Sequence, residues 1–198
     1  MKTLGGNIYF QVEKETENTH TLSNGVEIWL DTDIDRMKNA RQYGTVYSVP
    51  ENIEKHKIFD DGVKLTNGDK IYFHHFVVEP SSKIKIFDDT VYMLPYSQIF
   101  AVERGDDVIP TNDFVFAVPE PKISSSDVII DTKEGEASDR LATVKYVGSE
   151  GLKMGLKVGD RILYDMKAYN MVVKGEKVIK LRCERILAKV GDEIQFKW

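Results

Sequence analysis

Few residues in this 198-residue chain have the chemistry to catalyse anything or to hold an ion. His74 and His75 are adjacent, and neighbouring side chains on a strand point to opposite faces, so the two cannot grip one metal ion. His20 and His56 are scattered and there is one cysteine, Cys183, so no set of ligands has metal-binding spacing. Cys183 ends a strand-like run, Val178-Ile179-Lys180-Leu181-Arg182-Cys183, where a thiol packs as a small apolar group rather than reacting as a nucleophile. Ser124-Ser125-Ser126 lacks the strand-turn-helix setting of a nucleophilic serine and has no nearby histidine. No glycine-rich phosphate loop occurs, and the Gly-x-Gly-x-x-Gly of a dinucleotide site is missing. Arg104-Gly105-Asp106 spells an adhesion tripeptide but sits in a polar connection and reads as a turn. The expectation is a protein with no catalytic residues, no cofactor and no metal.

Binding is better supplied. Residues 14–41 are polar except for an apolar island, Val26-Glu27-Ile28-Trp29-Leu30, preceded by Gly25. Residues 119–140 form a second polar loop with its own island, Val128-Ile129-Ile130. An apolar tripeptide in a polar loop is unfavourable unless a partner buries it, and ordering so long a loop subtracts from the binding energy. Each contact is therefore weak alone, and many copies in one assembly raise the effective concentration while leaving release easy. The rival reading of Ile28-Trp29-Leu30 is an extra strand folded onto the body of the domain; the duplicated island favours docking. Residues 50–64 are a charged excursion with Glu51, Glu54, Lys55, Lys57, Asp60 and Asp61, and the signals Asp61-Gly62 and Asn67-Gly68 suggest a protruding hairpin.

The elements that position these loops occur twice. Leu65-Thr66-Asn67-Gly68-Asp69-Lys70-Ile71-Tyr72-Phe73 returns as Leu156-Lys157-Val158-Gly159-Asp160-Arg161-Ile162-Leu163-Tyr164, 91 residues later. In each copy a Gly-Asp pair makes a tight turn into a strand. Ile99-Phe100-Ala101-Val102 returns as Ile186-Leu187-Ala188-Lys189, Gly44–Val49 as 142–147, and Ile8-Tyr9-Phe10 as Phe114-Val115-Phe116. The offset falls from 106 to 87 along the chain, as when loops shorten and strands are kept. Strands are expected at 7–13, 44–49, 70–78, 83–87, 90–94 and 99–102, with a short helical turn at 95–98 and a second set in the same order. The domains are 1–103 and 114–198, joined by a linker at 104–113; residues 191–198 form a tail with no counterpart in the first copy. The fold class is all-β.

Composition sets outer limits. The chain is 41% apolar and 30% charged, with a net charge of −5 and a pI near 5.5, so it lacks the basic footprint of a nucleic-acid binder. No apolar run approaches the length of a membrane helix, the first residues have no apolar signal core, and a single cysteine suits a reducing compartment. The expectation is a cytoplasmic protein that binds neither nucleic acid nor membrane.

The Val-Gly-Asp segment, the two-strand meander after it and the closing Glu184-Arg185-Ile186-Leu187-Ala188-Lys189-Val190 resemble the GroES-like co-chaperonin signature, and the resemblance covers nearly the whole chain twice, as in tandem, double-domain co-chaperonins. It implies two tandem β-barrels with long mobile loops, which assemble with other copies into a lid over an ATP-driven chaperonin ring and enclose an unfolded substrate protein. By the resemblance, Gly25 with Ile28, Trp29 and Leu30 and, in the second copy, Val128, Ile129 and Ile130 would dock on the ring. Glu51, Glu54, Lys55, Asp60 and Asp61 would belong to a roof hairpin. The family's loop has its glycine directly before the tripeptide; here two residues intervene, and the second copy has none. The alternative is a structural or assembly protein, for example a viral one, that kept the fold without chaperonin binding.

Overall fold

The computed structural model describes residues 5–13, 19–21, 25–29, 41–78, 82–121, 137–165 and 167–191. The chain divides into two compact units, Met1–Val108 and Ile109–Trp198. It is mostly β, with one large antiparallel sheet for each unit and a separate two-stranded sheet in the first.

The first unit contains β1 (Asn7–Gln11), β2 (Thr19–Thr21), β3 (Glu27–Trp29), β4 (Tyr43–Ser48), β5 (Lys70–Phe73), β6 (Ile84–Ile86), β7 (Asp89–Pro95) and β8 (Ile99–Arg104), and its sheet ends in β9 (Asp107–Pro110), which begins in the first unit and runs across the division after Val108. The second contains β10 (Phe114–Pro121), β11 (Ala137–Val147), a short helix α1 (Ser149–Lys153), β12 (Arg161–Tyr164), β13 (Tyr169–Val173), β14 (Glu176–Arg182) and β15 (Ile186–Lys189). The first sheet runs β6-β7-β1-β4-β5-β8-β9 and the second β13-β14-β10-β11-β12-β15. Strand for strand the two orders coincide, and β9 is the one addition.

The correspondence extends to register. Gly44 faces Ile71 across β4–β5 as Ala142 faces Ile162 across β11–β12. The β5–β8 ladder slips between Tyr72 and Phe73, and the β12–β15 ladder slips between Leu163 and Tyr164, the equivalent step. In the repeated turn, Gly68 and Gly159 have φ of +91° and +90°, a region that favours glycine. The Asp69 carboxylate accepts the Thr66 N–H at 2.8 Å, and the Asp160 carboxylate accepts the Lys157 N–H at 2.7 Å. Each Gly-Asp pair is thus a turn closed by its own aspartate.

Four expectations change. First, β1 pairs Ile8 with Leu94 and β10 pairs Val115 with Leu181, so Val115, not Phe114, is the partner of Ile8. In strands a shift of one residue exchanges the two faces, and the core side of β10 is accordingly Val115 and Ala117. Second, the sheets are open ladders with two ends, not closed barrels: β6 and β9 end one, β13 and β15 the other. Closure would need the end strands to pair, and they are only three to five residues long. Third, residues 104–113 are not a solvated linker. They contain β9, and Thr111, Asn112 and Asp113 are buried, with the Asp113 carbonyl accepting the Cys183 N–H at 2.9 Å. Fourth, the start of the tail, residues 191–194, resembles residues 105–108 in sequence. Gly105-Asp106-Asp107-Val108 corresponds to Gly191-Asp192-Glu193-Ile194, and in the first unit that sequence makes the turn into β9.

The helical turn expected at 95–98 is a 3-10 turn at Tyr96–Gln98, and Cys183–Arg185 forms its equivalent in the second unit. The core of the first unit is built on Ile8, Phe10, Ile71, Phe73, Leu94 and Ile99; that of the second on Val115, Ala117, Ile162, Ile179 and Leu181.

Candidate docking hairpin

Between β1 and β4, β2 and β3 form an antiparallel pair with Thr19 opposite Trp29, His20 opposite Ile28 and Thr21 opposite Glu27. This two-stranded sheet is separate from the seven-stranded one. Gly25, at the bend before β3, has φ of +81°, a region that favours glycine, and among the described residues no atom lies within 4 Å of where a side chain would start. Val26 follows with 51% of its surface exposed. The first island is therefore a strand, as its rival reading had it, but among the described residues it pairs with its own hairpin partner and not with the main sheet. A lone two-stranded ribbon is marginally stable in water. Leu30, Val128, Ile129 and Ile130 lie outside the described residues, as does the serine run at 124–126.

The charged excursion folds differently from a protruding hairpin. No strand occurs between β4 and β5; instead Ile53–His56 forms a 3-10 turn whose Ile53 is buried. Glu51, Glu54, Lys55 and Asp60 are exposed, while the Asp61 side chain is fully buried. Its carboxylate accepts the Tyr96 hydroxyl at 2.7 Å and the Val63 N–H at 3.0 Å, with the Lys57 ammonium at 3.4 Å. Lys57 also reaches Glu54 at 2.9 Å, donates to the Val63 carbonyl and lies over the Tyr96 ring. Asp61 thus fastens the excursion to the core. Burial, then the hydrogen-bonded Asp61 carboxylate, pushes the Tyr96 hydroxyl well above the ordinary tyrosine range.

The other chemical candidates are occupied structurally. Arg104 of the adhesion-like tripeptide holds Asp69 through two nitrogens at 2.9 and 2.6 Å, which fixes the turn rather than presenting the arginine. Burial opposes ionisation of Asp69, but Arg104 and the Thr66 N–H outweigh it and hold the carboxyl below its usual value. His74 and His75 do not alternate as strand neighbours. β5 ends at Phe73, His74 caps a 3-10 turn, and the two rings lie 4.3 Å apart. The Nδ1 of His74 accepts the Phe76 N–H at 3.2 Å and is engaged in the turn. Among the described residues no group of three or more His, Cys, Asp or Glu side chains is placed to hold a metal ion, and no helix is long and apolar enough to cross a membrane. Cys183 is buried and its thiol is pushed up to about 11, chiefly by burial and then by the Asp113 and Glu150 charges.

What this arrangement offers is a peptide ribbon carrying Ile28 and Trp29, outside the main sheet and beside an exposed bend. No family model matches the chain, and no curated protein matches it.

Proposed function

We propose that the chain is a tandem GroES-like co-chaperonin: a cytoplasmic lid that oligomerises, caps an ATP-driven chaperonin ring through its apolar loops and closes a chamber around an unfolded substrate protein. The ring hydrolyses ATP; the lid contributes no catalytic group. The observation that carries the reading is the β2–β3 hairpin, which holds Ile28 and Trp29 in a sheet of its own. An apolar segment in a loop outside the main sheet is a candidate for burial by a partner. The coincident strand order of the two units supports it further, because it gives both loops an equivalent root, between β1 and β4 and between β10 and β11.

The test is native mass measurement of the protein alone and mixed with a chaperonin ring, with and without ATP. A complex that forms only with nucleotide is expected. Leu30→Asp and Ile129→Asp should each weaken capture while both units stay folded, the first more strongly because its island includes a tryptophan with more area to bury. No complex, or capture indifferent to both substitutions, overturns the reading.

A further inference from the structure

The duplicated units close one turn with different chemistry. At the end of β5, His74 caps the 3-10 turn His75–Val77, its Nδ1 accepting the Phe76 N–H at 3.2 Å. At the end of β12 the equivalent residue, 91 positions on, is Asp165, whose carboxylate accepts the Lys167 N–H at 3.0 Å. Both bonds run from the capping side chain to the N–H two residues later, so the two caps differ only in the acceptor.

The difference matters in mild acid. An imidazole nitrogen accepts through its lone pair; a proton there makes it a donor and sets it against the Phe76 N–H. A carboxylate goes on accepting until its own, much lower range. The Lys167 N–H and then Arg185, at 2.8 Å, hold the Asp165 carboxyl below even that range. Beside His74, 4.3 Å away, is the His75 ring, whose burial holds it below the ordinary histidine value of 6.5. The folded state therefore binds a proton on His75 less tightly than the unfolded chain, and the stability tied to it is complete above that value and falls as pH drops below it.

The elements around the turn present rings to His74. Phe76 stacks on it at 4.6 Å, and Phe100 of β8, 5% exposed, meets it edge-on at 6.5 Å. Charged groups of β5 and β8 are engaged in pairs, Lys70 with Glu103 at 2.9 Å and Arg104 with Asp69 at 2.6 Å. On β7, which also packs on the turn, Asp89 bonds to Tyr47 and Tyr92 lies against Phe10.

We propose that His74 is an acid-sensitive latch in the first unit: neutral, its Nδ1 closes the turn at Phe76; protonated, it releases that turn while the Asp165 turn of the second unit stays closed. This does not depend on chaperonin binding.

The test is nuclear magnetic resonance of the full chain at about pH 7.5 and about pH 5, on either side of the ordinary histidine value. Expected at the higher pH is the Nε2–H tautomer of His74, with a scalar coupling across the hydrogen bond to the Phe76 amide nitrogen. At the lower pH the ring should be protonated, the coupling lost and the protection of the Phe76 amide from exchange reduced about fivefold, the size of one cap, with Lys167 unchanged. His74→Asn supplies an amide oxygen that does not titrate and should keep Phe76 equally protected at both; His74→Ala should lower the protection at both. A His74 that is the Nδ1–H tautomer at the higher pH, or neutral at the lower, overturns the proposal. So does an acid loss of Phe76 protection that His74→Asn fails to prevent, which would place the trigger at another group. If either variant fails to fold, the tautomer and coupling of the parent chain decide.

Discussion

Replacing Asp61 by alanine tests whether the charged excursion is part of the core or an appendage. The Asp61 side chain is fully buried and accepts hydrogen bonds from Tyr96 and Val63. Truncation strands the Tyr96 hydroxyl, the Val63 N–H and the Lys57 ammonium, whose side chain is 6% exposed. Removing one partner of a buried charged pair costs about 3–5 kcal/mol, and each hydrogen bond to a charged group is worth about 1.5–3 kcal/mol. Lys57 keeps Glu54 at 2.9 Å, which places the expected loss near the lower end, about 3 kcal/mol. Tyr96→Phe, which leaves the carboxylate its Val63 and Lys57 partners, should cost about 1–2 kcal/mol. The assay is guanidinium unfolding of the full chain, in which only the transition of the first unit should move. Asp60→Ala, at the exposed neighbour, should stay within about 0.5 kcal/mol of the parent. A loss below about 1 kcal/mol for Asp61→Ala would refute the reasoning, since a buried carboxylate with three partners cannot be removed so cheaply.

Other expectations follow from single observations. The raised ionisation of Tyr96 means that the folded state binds its proton more tightly than the unfolded one, so the first unit keeps this stabilisation below the ordinary tyrosine value of 10.0 and loses it as pH rises above that value. Alkaline unfolding curves of the parent and of Tyr96→Phe should therefore differ in slope above pH 10, and parallel curves would refute it. Phe87 has φ of +56° at the tip of the β6–β7 hairpin and is 89% exposed. Asparagine tolerates that conformation, so Phe87→Asn should raise stability by about 0.5–1 kcal/mol in denaturant titrations; a decrease would mean that the ring makes stabilising contacts. The Cys183 thiol, at about 11 against an ordinary 9.0, should have a thiolate fraction about 100-fold below that of the unfolded chain near pH 8. A thiol reagent should label it correspondingly slowly until denaturant is added, and equal rates would contradict its burial.

The repeat was legible because its turns have strict chemistry. Glycine at positive φ followed by an aspartate that accepts a backbone N–H leaves little room for substitution, so Gly68-Asp69 and Gly159-Asp160 can be aligned by eye. The phase of the first strand was less so. Ile8 and Phe10 alternate with Tyr9 and Gln11, but Phe114-Val115-Phe116-Ala117 is apolar on both faces, and a continuous apolar run does not say which face is inward. β9 was hidden because its four residues follow Gly105-Asp106 and end in Pro110, which read as a connection; proline is compatible with an edge strand, and that is where Pro110 lies. Asp61 looked like one more surface charge, because its partners Val63 and Tyr96 are supplied by a turn and by a segment 35 residues away. The islands at Ile28 and Ile129 stood out by composition, but only for the first is the hairpin pairing described.

The coincidence of the two strand orders has an arithmetical consequence. A chain that carries its unit twice delivers units only in pairs, so any assembly of whole chains holds an even number of them, half rooted at β1 and half at β10. Against a partner with an odd number of equivalent positions, such an assembly cannot occupy each position once. It leaves a position vacant, has one unit to spare, or uses only one kind of unit for contact. Because only the loop of the first unit carries a tryptophan, Trp29, those outcomes differ in how many tryptophan-bearing loops face such a partner, and parity becomes a countable property of the complex.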